Sequence, residues 1–335
     1  MRLKDIFIKM LKEKNIERVG TTIRKIISSD DPIKMMALYI ANGRANICPS
    51  KTYSGISFKL DGNKCYDPPQ AYVGRCKDVI FTKDELISKG YFPYIVIDCR
   101  YHDLHSKKEK KKLLLQIRQT LGVIREYMWD DRLIVTLKCG CGRYYQSSED
   151  FLRQMDFKNV ILLDPNAENI YNGEKADCYI IGGIVDKAGN KKGLTSKIGE
   201  ELEKAGFSVD SRKIVLRGDT VGVPDRINHI TEIILKVVLD EKSVEDAIRE
   251  VQPPIIAKWR LRKELHEYTI RVMLKNTIFR ILPKSVFNEF KWLNLRLEDF
   301  YRVCSEQKFI VVSDRLFEEV KRSKWDEKRR CYVLG

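Results

Sequence analysis

The chain has 335 residues, ordinary apolar content, and 62 lysines and arginines against 47 acids, for a net charge of +15. It contains no uncharged apolar run of about 18 residues, the minimum for a membrane helix, and the acid-bearing, amphipathic start MRLKDIFIKMLKEKNIERV has no signal-peptide core. The cytoplasm is therefore the expected compartment, and the nine cysteines are expected to be reduced thiols.

A basic surplus of this size attracts polyanions, with nucleic acid the first candidate and an anionic membrane face the second. The bland alternative is the lysine-rich solvated surface of a heat-adapted protein. The length suits two or three domains.

Along the chain, residues 1 to about 45 predict helices, because LKDIFIKMLKEKNI and RVGTTIRKIIS place apolar residues at three- and four-residue spacing. Residues 46–80, rich in glycine, proline and cysteine, predict short strands and loops. Thr82 with Glu85 and Ser106 with Glu109 are capping boxes that open helices. From Tyr91 the rhythm changes. PYIVID, RLIVTL, NVILLD, CYIIGGIV and RKIVLRG are buried strands alternating with the helices KKEKKKLLLQIRQTLGVIREY, LTSKIGEELEKAG and DRINHITEIILKVVLD. This alternation predicts an α/β fold, a parallel sheet with helices on both faces. VEDAIREVQPP is one more helix, stopped by Pro253 and Pro254. The remainder reads as basic helices followed by a strand or hairpin.

The expected division is 1–88, helical then mixed; 89–254, the α/β domain; and 255–335, basic and mainly helical. No metal is expected. Cys139 and Cys141 have no second pair, and Asp98, His102, Asp103 and His105 fit no zinc spacing.

Ligands of open parallel sheets sit beyond the carboxyl ends of the strands. Three such ends, LLDPNAEN, IIGGIVDKAGNKKG and LRGDTVGVPD, carry glycine or proline turns that let backbone approach a ligand. No phosphate-binding glycine motif is present, which disfavours a nucleoside triphosphate or NAD. A cofactor with an adenosine and no phosphates, S-adenosylmethionine above all, fits better. Tight αβ connections alone are the competing explanation.

YIIGGIVDK, together with VIDCRYHDL and NHITEIILKV–VEDAIREVQPP, resembles the tRNA purine-9 N1-methyltransferases, a branch of the SPOUT methyltransferases. The resemblance covers roughly residues 91–254, and the terminal regions suit an archaeal-type member. It implies a doubly wound parallel sheet with a carboxyl-terminal trefoil knot, a rare exception to ordinary connection rules, and S-adenosylmethionine held by three knot loops. Carried onto this chain, the first loop holds Leu163 and Asp164. The second holds Gly182, Gly183, Asp186, Lys187, Ala188, Gly189 and Asn190, with Leu194 at the next helix. The third holds Ile214, Leu216, Val223, Pro224 and Asp225. The wording of the first and third loops departs from that of eukaryotic members.

The resemblance also implies that Asp186 stands where methyl group meets base, as general base for guanine N1 or as an electrostatic partner for adenine N1, with Asp98 as a second aspartate at the rim. Capping of a turn is the competing role for each. For tRNA, Lys107, Lys108, Lys110, Lys111 and Lys112 at a helix amino end, with Arg100 and Arg118, form one expected face. Lys258, Trp259, Arg260, Arg262 and Lys263 form a second, outside the family core. A monomer is expected. The rival readings are a SPOUT enzyme of another RNA, such as ribosomal RNA, and a non-catalytic basic RNA-binding protein.

Overall fold

The computed structural model describes residues 1–50, 55–186 and 189–334. They form two compact units: Met1–Ile214 with Arg226–Val244, and Val215–Asp225 with Glu245–Gly335. Compactness thus divides the chain at other points than 88/89 and 254/255.

The first unit opens with α1 (Leu3–Glu13), β1 (Arg18–Thr21), α2 (Arg24–Ile27), α3 (Pro32–Ala41), β2 (Asn46–Pro49), β3 (Ile56–Lys59), β4 (Lys64–Cys65), β5 (Ala71–Gly74) and α4 (Lys83–Ser88). The five strands form one sheet in the order β2-β5-β1-β3-β4. The helix expected across RVGTTIRKIIS is broken, because Val19, Gly20 and Thr21 take the centre of that sheet and only a single turn of helix follows. β-branched residues with a glycine suit a buried strand better than a helix. Helix α3 starts as its sequence directs: Pro32 is its first residue, and the Asp31 side chain accepts from the Lys34 amide at 3.0 Å.

The expectation that all cysteines are reduced is corrected here. Cys48 on β2 and Cys76 just beyond β5 form a disulfide, their Cα atoms 6.1 Å apart. The antiparallel pairing of β2 with β5 brings the two within bridging distance. Disulfides are rare inside mesophilic cells but common in hyperthermophiles.

The rest of the first unit is the α/β layer. Strands β6 (Tyr94–Asp98), β7 (Leu133–Val135), β8 (Arg143–Tyr144), β9 (Val160–Leu163), β10 (Asn169–Ile170), β11 (Cys178–Gly182) and β12 (Asp210–Lys213) form an all-parallel sheet in the order β10-β12-β9-β11-β6-β7-β8. Helices α5 (Lys107–Tyr127), α6 (Ser148–Arg153), α7 (Leu194–Lys204) and α8 (Ile227–Leu239) accompany it. Val96, Ile134, Leu162 and Ile180 pack on one face against Phe151 and Leu152 of α6 and Ile198 and Leu202 of α7. The alternate residues Ile97, Val135, Leu163 and Ile181 are also buried and point the other way. The β6–β7 crossover runs opposite to the β11–β12 crossover, so right-handed connections place α5 on the face away from α7. Helix α5 packs along α8, and Gln116 Oε1 accepts from the Ile227 amide at 3.0 Å. The sheet is therefore doubly wound, as its sequence rhythm predicts. Strand β12 ends at Lys213, short of the expected RKIVLRG run.

The second unit contains α9 (Val244–Val251), α10 (Pro254–Glu264), β13 (Ile270–Leu274), β14 (Thr277–Pro283), α11 (Val286–Glu289), α12 (Leu297–Glu306), β15 (Phe309–Val312), α13 (Asp314–Lys321), β16 (Lys324–Asp326) and β17 (Cys331–Leu334). Its five strands, ordered β15-β14-β13-β17-β16, are more than the one strand or hairpin expected after the basic helices. The missed signal lies at Lys275 and Asn276. Both have positive φ (45° and 65°) and form a two-residue hairpin loop between antiparallel β13 and β14. Pro253 and Pro254 end one helix and start the next, with Pro254 as the first residue of α10.

Candidate active site

Strands β12, β9 and β11 are neighbours, and their carboxyl ends lie level: Leu163 pairs with both Ile181 and Arg212. Leu163, Asp164, Gly182 and Ile214 are thereby brought to one edge of the sheet. Asp164 is 3 % exposed, and its carboxylate accepts from Ser196 Oγ at 2.6 Å and from the Asn166 amide at 3.0 Å. Leu194 opens α7 after Gly193, whose φ of 81° makes the turn.

The paired glycines have a steric cause. The Gly183 amide donates to the Asp98 carbonyl at 2.7 Å, extending the β11–β6 ladder one residue past the strand end. A Cβ there would lie 2.5 Å from Cys99 Sγ and 2.9 Å from the Asp98 oxygen. Only glycine passes so close to the neighbouring strand.

Beyond it the loop is pinned at three points. The Val185 amide donates to His105 Nε2 at 2.9 Å, while His105 Nδ1 lies 3.1 Å from the His102 carbonyl; Nδ1 therefore carries the proton. Lys191 is 7 % exposed and pairs with buried Glu109 at 3.1 Å, while Glu109 also accepts from Ser106 in the capping box that starts α5. The third point is Asp186. Its carboxylate accepts from the amides of Gly189 (2.8 Å), Asn190 (3.3 Å) and Lys191 (2.9 Å). These bonds, led by that from Lys191, hold its pKa below the ordinary carboxylate value. Asp186 is exposed and closes the loop on itself. Lys187 and Ala188 lie outside the described residues. His105 and Lys191 escaped the sequence reading as loop anchors, since their spacing follows no local pattern.

Asp98 is 1 % exposed and takes bonds from Arg100 Nη2 (2.6 Å), Ser148 Oγ (2.6 Å) and the Arg100 amide (3.0 Å). It caps the turn after β6. Arg100 also reaches Glu149 (3.0 Å) and Glu201 (2.7 Å), and holds the Glu201 pKa down. It is thus occupied inside the fold instead of facing RNA. Lys107, Lys108, Lys111 and Arg118 are exposed along α5; Lys112 is half-buried and Lys110 pairs with Asp103 at 3.0 Å.

The other third-loop residues belong to the second unit. Leu216 is buried and bridges to Asp219, Val223 is half-buried, Pro224 is buried and Asp225 is exposed. Arg260 is 4 % exposed, which corrects its assignment to an RNA face. Its guanidinium donates to the Val221 carbonyl (2.9 Å) and the Arg217 carbonyl (3.4 Å) and bonds Glu264. Lys258 is paired with Asp299 at 3.1 Å. Arg262 pairs with Glu306 and Lys263 with Asp219, whereas Trp259 is 53 % exposed.

The strand-end residues suit a phosphate-free adenosine cofactor. Leu163, Leu194 and Ile214 offer apolar contact, and turning backbone offers donors and acceptors. Among the described residues, no group of three or more metal-ligating side chains is assembled.

The described N and C domains of the tRNA (guanine(9)-/adenine(9)-N1)-methyltransferases match residues 4–89 and 258–329. The chain is 38 % identical over 330 residues to a tRNA (guanine(9)-/adenine(9)-N1)-methyltransferase of Thermococcus kodakarensis, an alignment covering 92 % of this chain and 89 % of that one. The chain belongs to the tRNA (guanine(9)-/adenine(9)-N1)-methyltransferase family. A tRNA (adenine(9)-N1)-methyltransferase of Sulfolobus acidocaldarius is 33 % identical over 185 residues, 54 % of this chain and 62 % of that one. Among solved structures, the dual-specific Trm10 of Thermococcus kodakaraensis superposes with a TM-score of 0.57 at 29 % identity, covering 73 % of this chain and 98 % of that one. Sulfolobus acidocaldarius Trm10 in complex with S-adenosylhomocysteine gives a TM-score of 0.63 at 22 % identity, covering 91 % and 99 %, which establishes the shared fold.

Proposed function

We propose that this protein transfers the methyl group of S-adenosylmethionine to N1 of the purine at position 9 of tRNA, acting on adenosine, guanosine or both. The observation that carries this reading is identity to the Thermococcus relative along nearly the whole of both chains. The level strand ends and the pinned Gly182–Lys191 loop support it. In this reading the SPOUT trefoil knot forms around the third loop, and the cofactor rests on Leu163, Asp164, Gly182, Gly183, Gly189, Asn190, Leu194, Ile214, Leu216, Val223, Pro224 and Asp225, with Lys187 and Ala188 between. The enzyme works as a cytoplasmic monomer. Segments 1–88 and 255–335 add tRNA contacts to those of the 89–254 catalytic segment, a division supported by the domain matches at 4–89 and 258–329.

The bound cofactor supplies an electrophilic methyl group on its sulfonium. The protein's task is to present N1 of the base to it. Extruding a base from the tRNA core costs roughly a few kcal/mol, and cations on α5 and in the terminal segments offset that cost through phosphate contacts. Asp186 is the group proposed at the base. Its amide bonds keep it ionised at neutral pH, so it accepts the N1 proton of guanine or its hydrogen bond, and stabilises the cation that forms on adenine. Asp98 then acts from behind, orienting Arg100 and the strand end.

The test is methylation of unmodified tRNA with radiolabelled S-adenosylmethionine, the label mapped by nuclease digestion. Label at purine 9 supports the proposal. Label confined to ribosomal RNA, or no transfer to any RNA, overturns it.

A further inference from the structure

The hairpin β16–β17 carries chemistry that the proposed site leaves unused. Residues Lys321–Arg330, KRSKWDEKRR, hold six cations against Asp326 and Glu327. Lys321 pairs with Glu318 and Arg329 with Asp326. Arg322, Lys324, Lys328 and Arg330 are exposed, and their side chains have no ion-pair partner among the described residues. This contrasts with α10 of the same unit, whose cations are all engaged.

Trp325, on the same hairpin, is 43 % exposed, with its ring 4.9 Å from that of Tyr332 in an edge-to-face pair. The register sets Phe279, Val272, Tyr332 and Trp325 in one row across β14, β13, β17 and β16, hence on one face of the sheet. Helix α13 covers the middle of that face through Phe317 and Val320, which pack with Val272 and Tyr332. Trp325 lies at the margin, braced on Tyr332 by one ring edge. An edge strand stays solitary by carrying charge, for which Lys324 suffices; a half-exposed indole serves no such purpose.

We propose that this hairpin is a second tRNA contact, with Trp325 stacking on an unpaired base and Arg322, Lys324, Lys328 and Arg330 holding the flanking phosphates. Charge complementarity selects the occupant: four unpaired cations on the same hairpin as one braced, half-exposed ring suit a single-stranded polyanion whose every monomer has a π face. The inference rests on the proposed tRNA substrate, and its test separates the two.

Full-length Trp325→Ala, Trp325→Phe and Lys324→Glu/Arg330→Glu are compared with the parent for affinity to unmodified tRNA, salt dependence of binding, S-adenosylhomocysteine affinity and methyl transfer at saturating tRNA. Trp325→Ala is expected to weaken tRNA binding roughly 5- to 150-fold, as for the loss of one stacked base, and Trp325→Phe to restore most of it. The charge reversal is expected to lower the slope of log K against log salt by about 2. Cofactor affinity stays at the parental value. Binding of all three variants within twofold of the parent, at the same salt slope, overturns the hairpin contact while leaving the enzymatic proposal intact. So does a change confined to self-association or to anionic vesicle binding. Failure of the parent itself to bind tRNA overturns both.

Discussion

At Asp186 the sequence offered two roles, turn cap and catalytic carboxylate; the structure shows the turn cap, and the catalytic role is the one proposed above. Three amides fix the carboxylate and depress its pKa. A depressed pKa stabilises the folded loop above the ordinary carboxylate range, and that contribution is lost as pH falls through and below that range. Across neutral pH Asp186 stays ionised, so any rise of guanosine methylation with pH is expected to follow the base and not this residue. Asp186→Asn is expected to slow guanosine methylation roughly 10²–10⁴-fold with a much smaller loss of cofactor affinity, read by single-turnover kinetics beside calorimetry. Equal losses in both would assign the residue to loop structure alone. Gly183→Ala should be worse than its size suggests. The added methyl group meets Cys99 and the Asp98 backbone, and overpacking of this kind costs about 1–3 kcal/mol, measurable as a lower Tm together with lost activity. His105 shows the limit of reading residues singly: its spacing fits no zinc site, and only the fold reveals that it receives the Val185 amide.

At the scale of elements, the loop after β11 is tied to the start of α5 by a buried ion pair. Removing Lys191 takes the cation from a buried carboxylate, and breaking a buried pair in this way costs about 3–5 kcal/mol. Lys191→Met is therefore expected to destabilise the protein by that order in denaturant titration, and adding Glu109→Gln should recover part of the loss. The Cys48–Cys76 bridge closes a loop across β2 and β5 with a sequence separation of 28. Loop-closure entropy assigns it about 3–4 kcal/mol, so a reductant should lower the Tm, and Cys48→Ser should lower it without further response to reductant. The sequence made the capping boxes and the central strands β6, β7, β9 and β11 of the parallel layer plain, because caps are local and buried parallel strands are continuous apolar runs; the two-residue edge strands β8 and β10 left no such run. It concealed β1 and the β13–β14 hairpin. Residues 18–21 are few and lie amid helical spacing, while Lys275 and Asn276 lack the glycine that usually marks such a turn.

For the molecule as a whole, a net charge of +15 predicts tRNA affinity that collapses with salt. If six to ten phosphates are neutralised, affinity should fall about 10³–10⁵-fold between 50 and 200 mM salt, which filter binding would record; a flat response would remove electrostatics as the basis of the grip. The parallel sheet with helices on both faces was legible because strand and helix alternate; its strand order was not. The unit boundaries were not, since they depend on side chains distant in sequence. Arg260, taken from the sequence as a surface cation, holds the Val221 and Arg217 carbonyls, and Gln252 holds that of Gly222.

That clamp bears on how the protein can be dissected. The segment Val215–Asp225 interrupts the first unit in sequence yet takes its fastenings from residues beyond 250. Trimming the chain after Val251, to isolate the parallel layer, would delete those fastenings and slacken a stretch proposed to touch the methyl donor. A minimal catalytic fragment must therefore keep Gln252 and the helix bearing Arg260, even if everything after that helix is discarded.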